Sequence, residues 1–227
     1  MILRKRTRVV IAALVLLGAA GCASDQGAKV KEESRQAEGL FRLSQLDFSQ
    51  GKNQDAITHA KQALDKDPKN AEVHAFLGTV YLYLSDFENS EKSLKEALKL
   101  NNYLTDARNT LGAVYLKTGR PAEAQKVFQE CLKDTTYPHP ELVLYNLGTI
   151  QLDEKRASEA EQTFRRAVEA NPKYARGYYG LGQALLQSGR REEARKSFEK
   201  VIALDPASPE AVKAKEALGD PAVSSRS

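Results

Sequence analysis

An all-α array of stacked helix pairs is the architecture this sequence predicts, and three observations predict it. Across 227 residues there are 14 glycines, 8 prolines and no tryptophan, so few residues oppose helix. Ala, Leu, Glu, Lys and Gln dominate, and these lose little rotamer freedom on entering one. The second observation is a period: starting at Ala37 and stepping by 34, with two extra residues at His139 and Pro140, the same residue types return five times. The third is that large and small residues within the period fall at helical spacing, as two packed helices require.

The elements follow in chain order. A cationic stretch, Arg4 to Arg8, precedes the apolar run VVIAALVLLGAA. That run is too short to span a bilayer, which takes about 20 residues, and it reads as a signal-peptide core over residues 1–21, removed on export. It ends in Ala19-Ala20-Gly21-Cys22, which resembles the bacterial lipobox, although Ala19 stands where leucine is usual. The resemblance implies that Cys22 is acylated and becomes the first mature residue. Ala23 follows, where an aspartate would be associated with inner-membrane retention, so the expected location is the outer membrane with the body facing the periplasm. Residues 22–36 are expected to be a lipidated N-terminus and short linker.

Five repeats are then expected at 37–70, 71–104, 105–138, 141–174 and 175–208. Position 7 of the repeat reads Leu43, Leu77, Leu111, Leu147 and Leu181, and position 8 reads Ser44, Gly78, Gly112, Gly148 and Gly182. Position 20 is Ala56, Ser90, Ala124, Ala160 and Ala194, and position 24 is Ala60, Leu94, Phe128, Phe164 and Phe198. Small residues at 8 and 20 let paired helices approach, while large ones at 7 and 24 fill the space between them. Gly51, Gly119 and Gly189 at position 15 suit a left-handed helix C-cap. Pro68, Pro172 and Pro206 at position 32 punctuate the second helix. One helix pair cannot bury both its faces, so neighbours stack into a solenoid. A capping helix over 209–218 and a flexible tail over 219–227 complete the chain.

These residues resemble the tetratricopeptide repeat, whose pattern places Leu-Gly, Tyr, Ala, Phe, Ala and Pro at the same offsets; Tyr81 and Tyr115 fill its position 11. The first repeat is the most degenerate, with Ser44, Asp47 and Ala60 at three family positions. The resemblance implies a superhelical solenoid whose first helices line a concave groove.

Charge and chemistry exclude several functions. The net charge of +4 resides in Arg4, Lys5, Arg6 and Arg8, leaving 30 basic against 30 acidic residues elsewhere. So balanced a body offers no footprint for nucleic acid. His59, His74 and His139 lack partners at metal-ligand spacing. Cys131 occupies the small slot at position 27 and reads as a core thiol, with Cys22 acylated and no disulfide available. No catalytic residue, cofactor, metal or small-molecule substrate is expected. Binding is the function that remains.

By the resemblance, positions 2, 5, 9, 12 and 13 face the groove. Position 12 reads Phe48, Leu82, Leu116, Leu152 and Leu186, an apolar stripe. Phe41, Asn109, Tyr145 and Tyr179 at position 5 and Tyr83 at position 13 extend it. The expected ligand is a helical or extended segment with apolar anchors. The stretch from Asp134 to Gly148, with Tyr137-Pro138 before Asn146-Leu147-Gly148, resembles the PilF/PilW/Tgl family of lipoproteins required for type IV pilus biogenesis. That resemblance implies a pilotin, binding secretin subunits and promoting their outer-membrane localisation and multimerisation. Members commonly carry about six repeats; this chain stops one helix beyond five. The rival expectation is a periplasmic adaptor docking a peptidoglycan hydrolase or serving outer-membrane protein assembly.

Overall fold

The computed structural model describes residues 29–219; the expected signal segment, Cys22 and almost all of the tail lie outside them. Helix α1 covers 29–49, followed by α2 (Asn53–Lys66), α3 (Ala71–Tyr83), α4 (Phe87–Leu100), α5 (Thr105–Lys117), α6 (Pro121–Cys131), α7 (Pro140–Asp153), α8 (Ala157–Ala170), α9 (Ala175–Gln187), α10 (Arg191–Leu204) and α11 (Pro209–Ala217). Among the described residues there is no strand. Consecutive helices pack in antiparallel pairs, and each pair packs on the next, giving the five-repeat solenoid with α11 as its cap.

The periodic residues form the core as their sizes dictate. Phe128, Phe164 and Phe198 at position 24 are buried, each pressed against the position-8 glycine of its own repeat. A Cβ on Gly112, Gly148 or Gly182 would sit within 2.8 Å of that ring, so glycine there is a packing requirement. Gly180 offers the same clearance to Phe164 from the following repeat, so one ring is gripped by two helices. The Ser90 hydroxyl at position 20 donates to the Gly78 carbonyl at 2.7 Å, tying α3 to α4.

Position 15 ends every first helix in the left-handed region, at Gly51, Ser85, Gly119, Lys155 and Gly189. In each case the next N–H reaches back five residues, as Arg120 N–H does to the Tyr115 carbonyl at 2.8 Å, which closes a Schellman turn. Two repeats therefore place a side chain where glycine is cheapest.

Three expectations need correction. The linker assigned to residues 22–36 is helical from residue 29, continuous with α1, because Lys, Glu, Gln and Ala there favour helix. Leu43, expected inward at position 7, is 40% exposed, whereas Leu77, Leu111, Leu147 and Leu181 are buried. Leu77, Leu111 and Leu181 share core clusters with residues of the preceding repeat, and among the described residues no helix pair precedes the first. The extra length in the third repeat is also not an insertion at His139 and Pro140. Instead α6 stops at Cys131, three positions earlier than its counterparts, Pro140 opens α7, and residues 132–139 form the connector.

Candidate functional site

Neighbouring first helices touch, α3 with α5 and α7 with α9, while among the described residues no second helix makes comparable contact with the next. The first helices therefore line the inner side of the array. The exception is α5 with α7, which the long connector holds apart. One hydrogen bond spans that junction, from Asn146 Nδ2 to Asn109 Oδ1 at 3.3 Å.

The predicted groove residues divide between this surface and the core. Tyr83 is 69% exposed and Leu186 41% exposed, both available to a partner. Phe48, Leu82, Leu116 and Leu152 are half-buried, packed against three different core clusters. The position-12 stripe is thus partly structural and is not one continuous surface. Asn109 is engaged with Asn146. Tyr179 is half-buried on Phe198, with ring centroids 5.8 Å apart, and burial raises its hydroxyl pKa.

Two regions of the inner side have built character. At the N-terminal end, Phe41, Phe48 and Tyr83 meet around Phe76. Phe76 stands edge-on to Phe41 at 5.6 Å and to Phe48 at 5.8 Å, and Phe48 edge-on to Tyr83 at 5.4 Å. Such contacts fix ring orientation and add about 0.5–1.5 kcal/mol each beyond burial. Sequence reasoning missed Phe76, at position 6, because only cross-helix packing brings it to the groove. At the C-terminal end, the Arg176 guanidinium lies 5.0 Å from the Tyr145 ring centroid and pairs with Glu210 of α11 at 3.1 Å. Tyr174 closes edge-on against Tyr145, and burial pushes its hydroxyl up to about 12.

Between α1, α3, α5 and the connector lies a cleft of about 630 Å³. Phe41, Ala75, Phe76 and Leu104 supply its apolar lining, and Tyr103, 87% exposed, stands at its rim. The connector forms one wall and is pinned there. Tyr137 is buried in the core and donates its hydroxyl to Asp106 Oδ1 at 2.7 Å; burial first, then that bond, raises its pKa. Asp134 accepts from the Thr105 hydroxyl at 2.7 Å and from the Thr136 hydroxyl at 2.7 Å. The Thr105 bond is the main cause of its lowered pKa. The Tyr-Pro stretch singled out in the sequence is therefore a wall of the site, and Tyr137 is its anchor.

Cys131 packs beneath this wall with its Sγ 3.9 Å from the Thr105 carbonyl. Burial pushes its thiol up to about 12. A thiol so rarely ionised is a poor nucleophile. Among the described residues, no group of three or more His, Cys, Asp or Glu is arranged to hold a metal, and no helix is long and apolar enough to cross a membrane.

The repeat geometry agrees with comparison to known families. Models of the tetratricopeptide repeat match residues 45–85, 77–135, 109–175, 145–209 and 179–222. The chain belongs to the tetratricopeptide repeat family. Repeats of this family form a binding fold. Among individual proteins, the chain is 26% identical over 170 residues to the type IV pilus assembly protein PilF of Pseudomonas aeruginosa, covering 72% of this chain and 67% of PilF. It is 24% identical to Superkiller protein 3 of Schizosaccharomyces pombe, but over only 12% of that protein's length. Among solved structures, the fold resembles PilW, a type IV pilus biogenesis factor, with TM-score 0.73 at 22% identity, over 83% of this chain and 89% of PilW. It resembles Pseudomonas aeruginosa PilF with TM-score 0.74 at 19% identity, over 86% and 89% of the two chains.

Proposed function

We propose that this chain is an outer-membrane lipoprotein, anchored through acylated Cys22, whose inner groove binds secretin subunits and promotes their localisation and multimerisation in type IV pilus biogenesis. One observation carries the reading: the similarity to PilF runs along two thirds of both chains, whereas the match to Superkiller protein 3 covers a small part of a long array. A match of that extent shares an arrangement of repeats, not merely the repeat itself.

The physical logic joins anchor and groove. An acyl chain contributes about 0.8 kcal/mol per buried methylene, so a multiply acylated Cys22 stays on the membrane. Confinement to that surface raises the effective concentration of the groove for a client already there. A β-rich subunit with open strand edges is aggregation-prone until it multimerises, and a rigid apolar groove can hold it meanwhile.

Deletion of the gene, followed by gel analysis of heat-resistant secretin multimers, tests the reading. Multimers should fall sharply, and the Cys22→Ala chain should fold normally yet fail to restore them. Undiminished multimers in the deletion strain would sink the proposal. Recovery of a peptidoglycan hydrolase or barrel-assembly subunit in place of secretin after crosslinking would favour a periplasmic adaptor.

A further inference from the structure

The cleft at the N-terminal half of the groove has a chemistry that the apolar stripe alone did not suggest. Its interior is apolar and aromatic, with Phe41 and Phe76 held in place by edge contacts. Its lining includes Glu72, Asp106 and Asp134 and contains no lysine or arginine. None of these carboxylates forms an ion pair among the described residues: Asp106 and Asp134 are met by hydroxyls and a backbone N–H, and Glu72 is exposed. Arg108 and Lys133 line the neighbouring cleft, which shares Asp134 and Tyr103 with this one; Arg108 acts on Asp134 from there and donates to the Asn102 carbonyl. The walls are pre-formed, since Tyr137 fixes the connector by its buried ring and its bond to Asp106.

The acidic character of one register is confined to the N-terminal half of the groove. Position 2 of the repeat is Glu38, Glu72 and Asp106 in the first three repeats, Leu142 in the fourth and Arg176 in the fifth. Glu38 is paired with Arg42, and Arg176 with Glu210, leaving Glu72 and Asp106 as the unpaired acidic pair of this series.

We propose that this cleft is the docking site for a partner segment in which an arginine or lysine is flanked by bulky apolar side chains. The apolar neighbours would fill the Phe41–Phe76 floor, and the cation would lie between the Tyr103 ring and the carboxylates. Aromatic faces and carboxylates both favour a cation that has left water, and an acidic residue in its place meets like charge. The inference rests on the groove-binding reading above and adds the chemistry of what is bound.

Fluorescence anisotropy with the full chain in detergent micelles tests it. The probes are fluorescein-labelled peptides carrying Leu-Arg-Phe, Leu-Gln-Phe or Leu-Glu-Phe cores between Gly-Ser flanks. The arginine peptide should bind about ten-fold tighter than the glutamate peptide, with glutamine between. Glu72→Lys should erase that order with an unchanged helical circular dichroism spectrum, because Glu72 is exposed and unpaired. Tyr103→Ser, a change at an exposed rim ring, should weaken the arginine peptide most. Equal affinities for the three peptides, no saturable binding of any, or an order unaltered by Glu72→Lys would overturn the proposal. The readout contains no pilus component, so those results defeat the cleft assignment alone. Undiminished secretin multimers in the deletion strain defeat the pilus reading alone.

Discussion

Glu91 of α4 is held by the next repeat, and removing its charge should loosen the junction between the second and third helix pairs. Its carboxylate, mostly shielded from water, accepts from both terminal nitrogens of Arg120, one at 3.3 Å, and lies 2.6 Å from Lys95 Nζ. Arg120 in turn stacks 4.4 Å from the Tyr115 ring centroid. The Arg120 bond is the main reason the Glu91 pKa falls from an ordinary 4.5 to about 2. At about 1.36 kcal/mol per pKa unit this is a ceiling of about 3 kcal/mol. Solvent screening at the partly exposed Arg120 reduces the expected cost of Glu91→Gln at pH 7 to about 1–2 kcal/mol. The folded pKa lies below the unfolded one, so the contribution is complete above pH 4.5 and disappears as pH falls through 2. By pH 3 more than half of it should be gone. Urea unfolding of both chains from pH 7 to pH 3, with hydrogen exchange of the α4–α6 amides to localise the effect, measures it. The array carries its own control: Gln125 occupies the corresponding position in the third repeat, and Arg156 opposite it pairs instead with Glu154 and Glu159. Equal stabilities at pH 7, or a gap that persists undiminished to pH 3, would refute the reasoning.

Further outcomes follow from packing. Gly112→Ala, whose Cβ would fall 2.4 Å from the buried Phe128 ring, should lower stability by about 1–3 kcal/mol; Gly39→Ala, with nothing within 4 Å, should raise it by about 0.5–1 kcal/mol. Thermal melts of the two variants check the contrast. Ser85→Gly and Lys155→Gly should each stabilise by about 0.5–1 kcal/mol, because both positions hold φ near +60°. Leu116→Asp should cost stability as well as binding, since Leu116 is half-buried on the core, whereas Tyr83→Ser, which loses only the edge contact with Phe48, should lower the melting temperature by no more than about 2–4 °C. In a Cys22→Ser background, Cys131 should react with a disulfide reagent at pH 8 only after urea is added, since its thiol titrates near 12 when folded.

How much of this was legible in the sequence depended on whether the cause was local. Gly112 and Phe128 recur at fixed offsets because each repeat solves the same close-approach problem, so their partnership could be read from the period. The turns at Gly51, Gly119 and Gly189 were legible because left-handed φ selects glycine; Ser85 and Lys155 hid the same turn. Tyr137 could be singled out as unusual, yet nothing in the linear order says that its ring enters the core beneath α5 and α7. The Phe76 cluster joins residues of different repeats whose identities do not recur; the Glu91–Arg120 bridge recurs once, as Glu161–Arg190, but Gln125 interrupts the series between them.

The sequence by itself therefore determined the solenoid: helix-forming composition and a 34-residue period leave no other way to bury the apolar faces. The tertiary structure decided which apolar residues remain for a partner. Leu43 became surface because, among the described residues, no helix pair precedes it; Leu116 became half-buried because it packs against the central core cluster; and the shortened α6 turned residues 132–139 into one wall of a cleft. Each is a matter of what lies opposite in space, which a period along the chain cannot encode.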